Sequence, residues 1–262
     1  AALEAGCHVV LEKPVVNTLA EGKDLAALAE RMERLLVPFH NRRWDGDYLT
    51  VARLITEGRL GEVRWFESHF DRFRPQAQDK WREHPGPGAG AWFDLGPHLV
   101  DQALCLFGPP QAVTGRCLSL REGARTTDNF HVLLHYPDLE VALHGSTFCA
   151  GPNIRFQVQG TEGSYVKYGL DPQEERLKAG IRPDTPDWAA EQPPAFGSLY
   201  TAGAKEVIRT ETGGYQNFYR LLAAAADGKA AVPVAMADAL VGIAVILLAE
   251  ESSRRKETLP FE

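Results

Sequence analysis

The sequence predicts an α/β fold in two unequal parts. The first is the end of a parallel-sheet domain; the second is an α+β domain with an open, mostly antiparallel sheet. Three observations lead there. Short apolar runs at His8–Glu12 and Leu35–Phe39 flank an amphipathic stretch, the pattern of a strand–helix–strand unit. Beyond Pro110 the texture changes to five short strand-like runs separated by turn residues, as successive hairpins require. Between them lies Gly86–Gly108, a glycine/proline run that becomes an apolar helix.

Taken in order, Ala1–Ala5 reads as the last turn of a helix, which Gly6 stops. HVVLE (His8–Glu12) suits a buried parallel strand. Asn17 or Thr18 can cap a helix over roughly Leu19–Arg34, with Leu25, Leu28, Ala29 and Met32 on one face. LLVPF (Leu35–Phe39) is the second strand, and Asn41–Trp44 is a turn carrying two arginines. Asp45 can cap a helix to about Glu57, ended by Gly58 and Gly61. Glu62–Phe73 alternates as a strand, and Arg74–Pro85 is an irregular polar loop. A mostly buried helix then starts near Asp94, itself a good N-cap, and stops at Gly108-Pro109-Pro110. Strands are expected at Ala112–Leu120, Asn129–Tyr136, Glu140–Phe148, Ile154–Gly160 and Ser164–Tyr168. Leu170–Ala204 reads as a long excursion, followed by a helix over Tyr215–Ala226, a last helix to about Ser252 and a strand at Glu257–Phe261.

The opening is unusual for a parallel-sheet domain. No G-x-G-x-x-G follows a strand, and Gly86, Gly88 and Gly90 have the wrong spacing for one. We therefore expect the first part of a larger α/β domain to be missing from this chain. Residues 1–40 are assigned to that partial domain and residues 41–262 to a second one.

Composition narrows the function. With 262 residues, 44% hydrophobic and 24% charged, the chain is an ordinary globular one with a sizeable core. A net charge of −7 without a compensating basic cluster argues against nucleic acid as a partner. Four scattered cysteines, none in C-x-x-C, read as free thiols in a reducing compartment. The longest apolar run, Ala239–Ala249, is broken by Gly242 and too short to span a bilayer, so no membrane partner is expected. No signal-peptide pattern opens the chain, and a cytoplasmic location is expected.

The candidate chemistry gathers on the central helix. Read from Asp94, it puts Asp94, His98 and Asp101 on one stripe, a carboxylate one turn from an imidazole. That pair suits proton transfer, because imidazole titrates near neutrality and a carboxylate can orient it. The bland alternative is a satisfied hydrogen-bonded pair. Lys13 sits at the C-terminal end of a buried parallel strand, where ligands bind in open α/β sheets, and Pro14 restricts it. Arg42 and Arg43 follow the next strand end and can reach the same crevice. Arg72, Arg74, Trp81 and Arg82 can line a pocket for a hydroxyl-rich ligand. His131 and His135 share a strand face but lie about 13 Å apart, too far for one zinc, so no metal site is expected and these histidines read as interface or surface groups.

With Glu12-Lys13-Pro14 and DLGPHLVD (Asp94–Asp101) on the page, the sequence resembles the Gfo/Idh/MocA family of nicotinamide-dependent sugar and polyol oxidoreductases. Within it, NRRWDGD (Asn41–Asp47), ESHFDRFRP (Glu67–Pro75) and YGLDPQE (Tyr168–Glu174) are similar to a branch near bacterial NADP-dependent scyllo-inositol dehydrogenases. The resemblance implies a Rossmann domain that binds NADP or NAD, with NADP favoured, of which this chain carries only the last part without the family's glycine-rich pyrophosphate loop, and a second domain carrying substrate contacts and oligomer interface; tight cofactor binding and turnover are expected of the intact protein and not of this chain alone. It implies hydride transfer between NAD(P) and a secondary alcohol of a polyol or sugar such as an inositol. Lys13, Asp94 and His98 match the family's catalytic residues. Glu12, Lys13, Pro14 and Arg42 are expected at the cofactor, and Arg72, Trp81 and Trp92 at the substrate. A homodimer or homotetramer through the open sheet is implied. The competing reading is a non-catalytic remnant used in association or sugar binding.

Overall fold

The computed structural model describes residues 1–262. Two sheets organise it. In the smaller, β1 (Val9–Leu11) and β2 (Leu36–Pro38) pair in parallel, joined by α1 (Leu19–Arg31). Thr18 caps α1 with a complete capping box: its hydroxyl accepts from the Glu21 N–H while Glu21 reaches back to the Thr18 N–H.

The larger sheet takes β3 (Val63–His69), β4 (Ala112–Leu118), β5 (Asn129–His135), β6 (Glu140–Gly145), β7 (Ile154–Gly160), β8 (Ser164–Tyr168), β9 (Gly197–Thr201), β10 (Ala204–Ile208) and β11 (Leu259–Pro260). Their order across the sheet is β10-β9-β8-β7-β3-β6-β5-β4-β11. Only β3 and β6 run parallel; every other pairing is antiparallel. The mixed, mostly antiparallel sheet matches the fold class expected from the hairpin pattern.

One face of this sheet is covered. Phe66, Phe130, Val132, Leu134, Val141, Leu143, Phe156 and Val158 are buried against residues of α2 (Gly46–Thr56), α3 (Gly90–Phe107) and α6 (Met236–Arg255) in one hydrophobic core. α6 lies so close to β4 that a Cβ on Gly115 would fall 1.9 Å from the Ala249 carbonyl oxygen. There the Gly115 N–H donates to Ser252 Oγ at 2.8 Å. The other face alternates outward as Trp65, Glu67 and His69 on β3 and His131, Leu133 and His135 on β5, none of them buried. No helix is long and apolar enough to cross a membrane, and all four cysteines are unpaired.

Several local expectations need correction. α3 begins at Gly90, one turn before Asp94, so Asp94 lies inside the helix and is not its cap. Asp45 occupies the N-cap position of α2, but its carboxylate is diverted to Arg42 and Tyr215 and makes no capping bond. The excursion after Leu170 contains α4 (Gln173–Lys178) and the β9–β10 hairpin, and α5 (Gln216–Ala226) follows. Glu62–Phe73 is regular strand only to His69; beyond it the chain pairs irregularly with 144–147.

Candidate active site

The end of β1 and the first half of α3 meet across a cleft of about 1160 Å³. Lys13, two residues past β1, extends its ammonium to Asp94 and donates to both the Asp94 peptide oxygen and Oδ1, the latter at 3.0 Å. Arg82 approaches the same Oδ1 at 3.4 Å. His98 follows one turn later on α3, as the i, i+4 spacing requires. Lys13, Asp94 and His98 therefore line one cleft, together with Glu12, Arg42, Arg72 and Tyr215.

His98 is the unusual member. It is only 7% exposed, and its Nδ1 is buried without a hydrogen-bond partner. Burial pushes its pKa well below the ordinary value, and the charges of Arg42 and Lys13 push the same way. The ring is therefore a neutral imidazole near pH 7, a group that accepts a proton. Pro97, just before it, has no N–H to give the Phe93 carbonyl.

A second, smaller pocket of about 310 Å³ adjoins the cleft and shares Arg72, Arg74, Arg82, Asp94 and Leu95 with it. Trp81 lines it from the loop, 66% exposed, with the Arg82 guanidinium 4.9 Å from its ring centre. Burial and the neighbouring Arg74 charge lower the Arg72 pKa, as for a cation without a paired carboxylate. These arginines, the aromatic ring and the Asp94 carboxylate give the pocket several donors and an acceptor suited to hydroxyl groups.

Two residues singled out from the sequence, Trp92 and Asp101, are committed elsewhere, and Arg42 lines the cleft with its guanidinium already paired. Trp92 is wholly buried: its Nε1 donates to the Ile246 carbonyl at 3.0 Å and its ring packs on Phe130. The early start of α3 turns it into the core, so it cannot line the substrate pocket. Asp101 is on the expected stripe but is spent structurally, accepting from Arg43 Nε (2.9 Å) and Nη2 (2.7 Å). Arg42 borders the cleft, yet its fork already serves Asp45 and Glu174, which leaves little of it for a cofactor. Pro14 sits beside the cleft in a small hollow with Val15, His40 and Pro97.

Sequence reasoning missed His40, two residues past β2. It is 6% exposed, its Nδ1 stands 3.9 Å from Asp101, and burial lowers its pKa. Its place at a strand end, the argument used for Lys13, was the available signal. Glu174 and Tyr215 were missed too, because α4 and α5 reach the cleft from distant sequence.

A parallel β-α-β element joined to an open mixed sheet, with lysine, carboxylate and neutral histidine facing one cleft, defines a two-part oxidoreductase architecture. Comparison with known proteins agrees. Residues 52–261 match the oxidoreductase family C-terminal alpha/beta domain, and residues 1–40 match the oxidoreductase family NAD-binding Rossmann fold. The chain is 48% identical over 261 residues to the uncharacterized oxidoreductase YdgJ of Escherichia coli, covering 99% of this chain and 75% of that one. It is 40% identical over 266 residues to scyllo-inositol 2-dehydrogenase (NADP(+)) IolW of Bacillus subtilis, covering 100% and 74%. The solved structure of yvaA from Bacillus subtilis superposes with a TM-score of 0.96 at 40% identity, covering 99% of this chain and 75% of that one. The chain belongs to the Gfo/Idh/MocA oxidoreductase family.

Proposed function

We propose that this chain serves an NAD(P)-dependent dehydrogenase acting on a secondary alcohol of a polyol or sugar, with inositols the first substrates to test. The observation that carries this reading is His98: a buried imidazole, held neutral by burial and cationic neighbours, with an unpartnered Nδ1, in the cleft that contains Lys13 and Asp94. The similarity to a scyllo-inositol dehydrogenase supports the substrate class and favours NADP over NAD.

The residues present fit the nicotinamide end of such a cofactor. Lys13 and Glu12 follow the C-terminal end of a parallel strand, where the fold leaves a crevice for it. We assign residues 1–40 to the cofactor side and 41–262 to the substrate side. A bound nicotinamide would supply the hydride acceptor or donor. His98 takes the proton of the reacting hydroxyl. Lys13 stabilises negative charge as it develops on that oxygen, and Asp94 positions Lys13 and accepts from a neighbouring hydroxyl.

The test, made on the intact protein, is NADPH-dependent reduction of keto-inositols and keto-sugars, alongside NADPH binding followed by tryptophan fluorescence. Turnover that is lost in His98→Ala while NADPH still binds is the expected result. A chain that binds NADPH yet reduces no such ketone overturns the substrate class. Undiminished turnover in His98→Ala removes the histidine from the reaction.

A further inference from the structure

The uncovered face of the large sheet gathers a second set of donors, independent of the chemistry in the cleft. Strand register places His69 of β3 beside His144 of β6, and His144 beside His131 of β5, in one row across three adjacent strands. The ring centres of His69 and His144 are 5.0 Å apart, and those of His131 and His144 are 5.8 Å apart. Just past β3 the chain brings Asp71 into this row. Its Oδ2 is 3.2 Å from His69 Nδ1, and its Oδ1 is 2.8 Å from His144 Nδ1.

We propose that His69, Asp71 and His144 form a binding site for a divalent first-row transition-metal cation, with zinc as the reference ion. One ligand atom from each of the three lies within 4.8 Å of the others. Zinc bonds nitrogen and oxygen at about 2.0–2.2 Å, so two donors of a tetrahedral site stand about 3.3–3.6 Å apart. Each imidazole already stands near that edge from one Asp71 oxygen, His69 from Oδ2 and His144 from Oδ1, so the carboxylate either spans the ion with both oxygens or turns to present one. The widest separation closes by a modest turn of an imidazole, a side-chain motion open to half-buried rings. Two imidazoles and one carboxylate suit zinc, cobalt or nickel, whereas magnesium and calcium prefer all-oxygen sites.

The surroundings are built to hold these ligands. Asp71 is 8% exposed and is held by the Ser146 N–H on Oδ1 at 2.9 Å; its own peptide oxygen accepts from Asn153 Nδ2 at 3.0 Å. His69 Nε2 lies 3.1 Å from Glu67 Oε2, the carboxylate behind the imidazole that fixes tautomer and ring angle in metal sites. Glu67 is in turn pinned by Trp65 Nε1 at 2.5 Å. His131, whose ring centre is 5.8 Å from that of His144, or a water is left to complete the coordination. Binding replaces the two imidazole–carboxylate contacts to Asp71. Asp71 directly precedes Arg72, which enters the cleft, so the ion would also fix the chain where β3 ends.

The test uses the full chain, stripped with EDTA and titrated with zinc chloride by calorimetry and with cobalt chloride by visible absorption. We expect one equivalent of zinc to bind with micromolar or tighter affinity, and cobalt to develop the ligand-field bands of an imidazole-containing site. His69→Gln and His144→Gln should each weaken zinc about tenfold or more, and Glu67→Ala by about 10–100-fold. His135→Gln, on the same face but outside the row's centre, should leave affinity unchanged. Asp71→Asn should abolish binding; because Asp71 also holds Ser146, the two histidine variants carry the test if that variant misfolds. The absence of stoichiometric zinc binding overturns the proposal and leaves a hydrogen-bonded cluster only. So does binding that survives both histidine substitutions, or binding that magnesium chloride matches.

Discussion

The two faces of the large sheet treat the same side chain in opposite ways. On the helix-covered side His98 is walled in, its Nδ1 has no partner, and the charges that act on it most are cationic. On the uncovered side His69 and His144 each meet a carboxylate within 3.2 Å, and His135 meets Glu140 at 2.8 Å. A partnered imidazole already has a ring nitrogen engaged by the protein. An unpartnered one is left free to exchange a proton with something that enters the cleft. Arg155, deeper on the covered side, is by contrast closely satisfied. Arg155, fully buried, donates to Asp47 Oδ2 at 3.1 Å, Ser68 Oγ at 2.7 Å and Gln102 Oε1 at 2.7 Å. Its guanidinium also lies over the rings of Phe70 and Phe156. Gln102 then passes the network on, donating to the Arg42 carbonyl at 2.8 Å.

The sharpest way to break this contrast is to remove the bare imidazole. His98→Ala should lower the catalytic rate by about 10²–10⁴-fold, the usual contribution of a general base, with little change in NADPH affinity. A parallel loss of NADPH binding would place His98 at the cofactor instead. The next largest effect belongs to the buried network. Arg155→Met leaves the Asp47 carboxyl without its ion-pair partner in a site with no exposure and should cost about 3–5 kcal/mol of stability in urea denaturation. The double variant Arg155→Met, Asp47→Leu should recover much of that loss. Equal instability of the two would mean that Ser68 and Gln102, not the ion pair, need the arginine.

How much of this was legible in the sequence depended on how local the cause was. β7 and β8 fall where the short strand-like runs and the turn residues between them put them, because both signals lie inside a few residues. The cap of α1 was readable to within Asn17 or Thr18 for the same reason, and the structure selects Thr18. β9 and β10 were not: as an edge hairpin with four of the five β10 residues exposed, they show no apolar alternation to read. In the cleft, Lys13, Asp94 and His98 were legible because a strand end and an i, i+4 spacing are local facts. Trp92 was misplaced by one helical turn of uncertainty in where α3 begins, enough to move it from pocket to core. The Arg43–Asp101 clamp and the meeting of His69 with His144 depend on strand order and interhelical packing. β3 pairs with β6 across two intervening strands of sequence, and no spacing rule encodes that.

Two smaller effects sharpen the comparison further. The His98 pKa is lowered in the folded chain, whereas in the unfolded chain it returns to about 6.5. Between those values the unfolded state binds the extra proton, so the stability His98 contributes above about pH 6.5 is lost as the pH falls. Other buried groups titrate in the same range, Asp171 with a pKa raised to about 6 by burial, so the clean quantity is a difference. His98→Gln cannot take up that proton, and its unfolding free energy should fall less than the wild type's between pH about 7 and about 5. Parallel curves would mean that His98 titrates normally and is not held neutral. On the uncovered face the outcome should be flat. The His135–Glu140 pair is partly exposed, with side chains 26% and 39% accessible, so water already solvates both partners. His135→Ala should therefore change stability by less than about 1 kcal/mol. A larger loss would show that the Thr114 hydroxyl, 2.7 Å from His135 Nε2, ties this histidine into the β4–β5 ladder, and that the uncovered face is braced as firmly as the covered one.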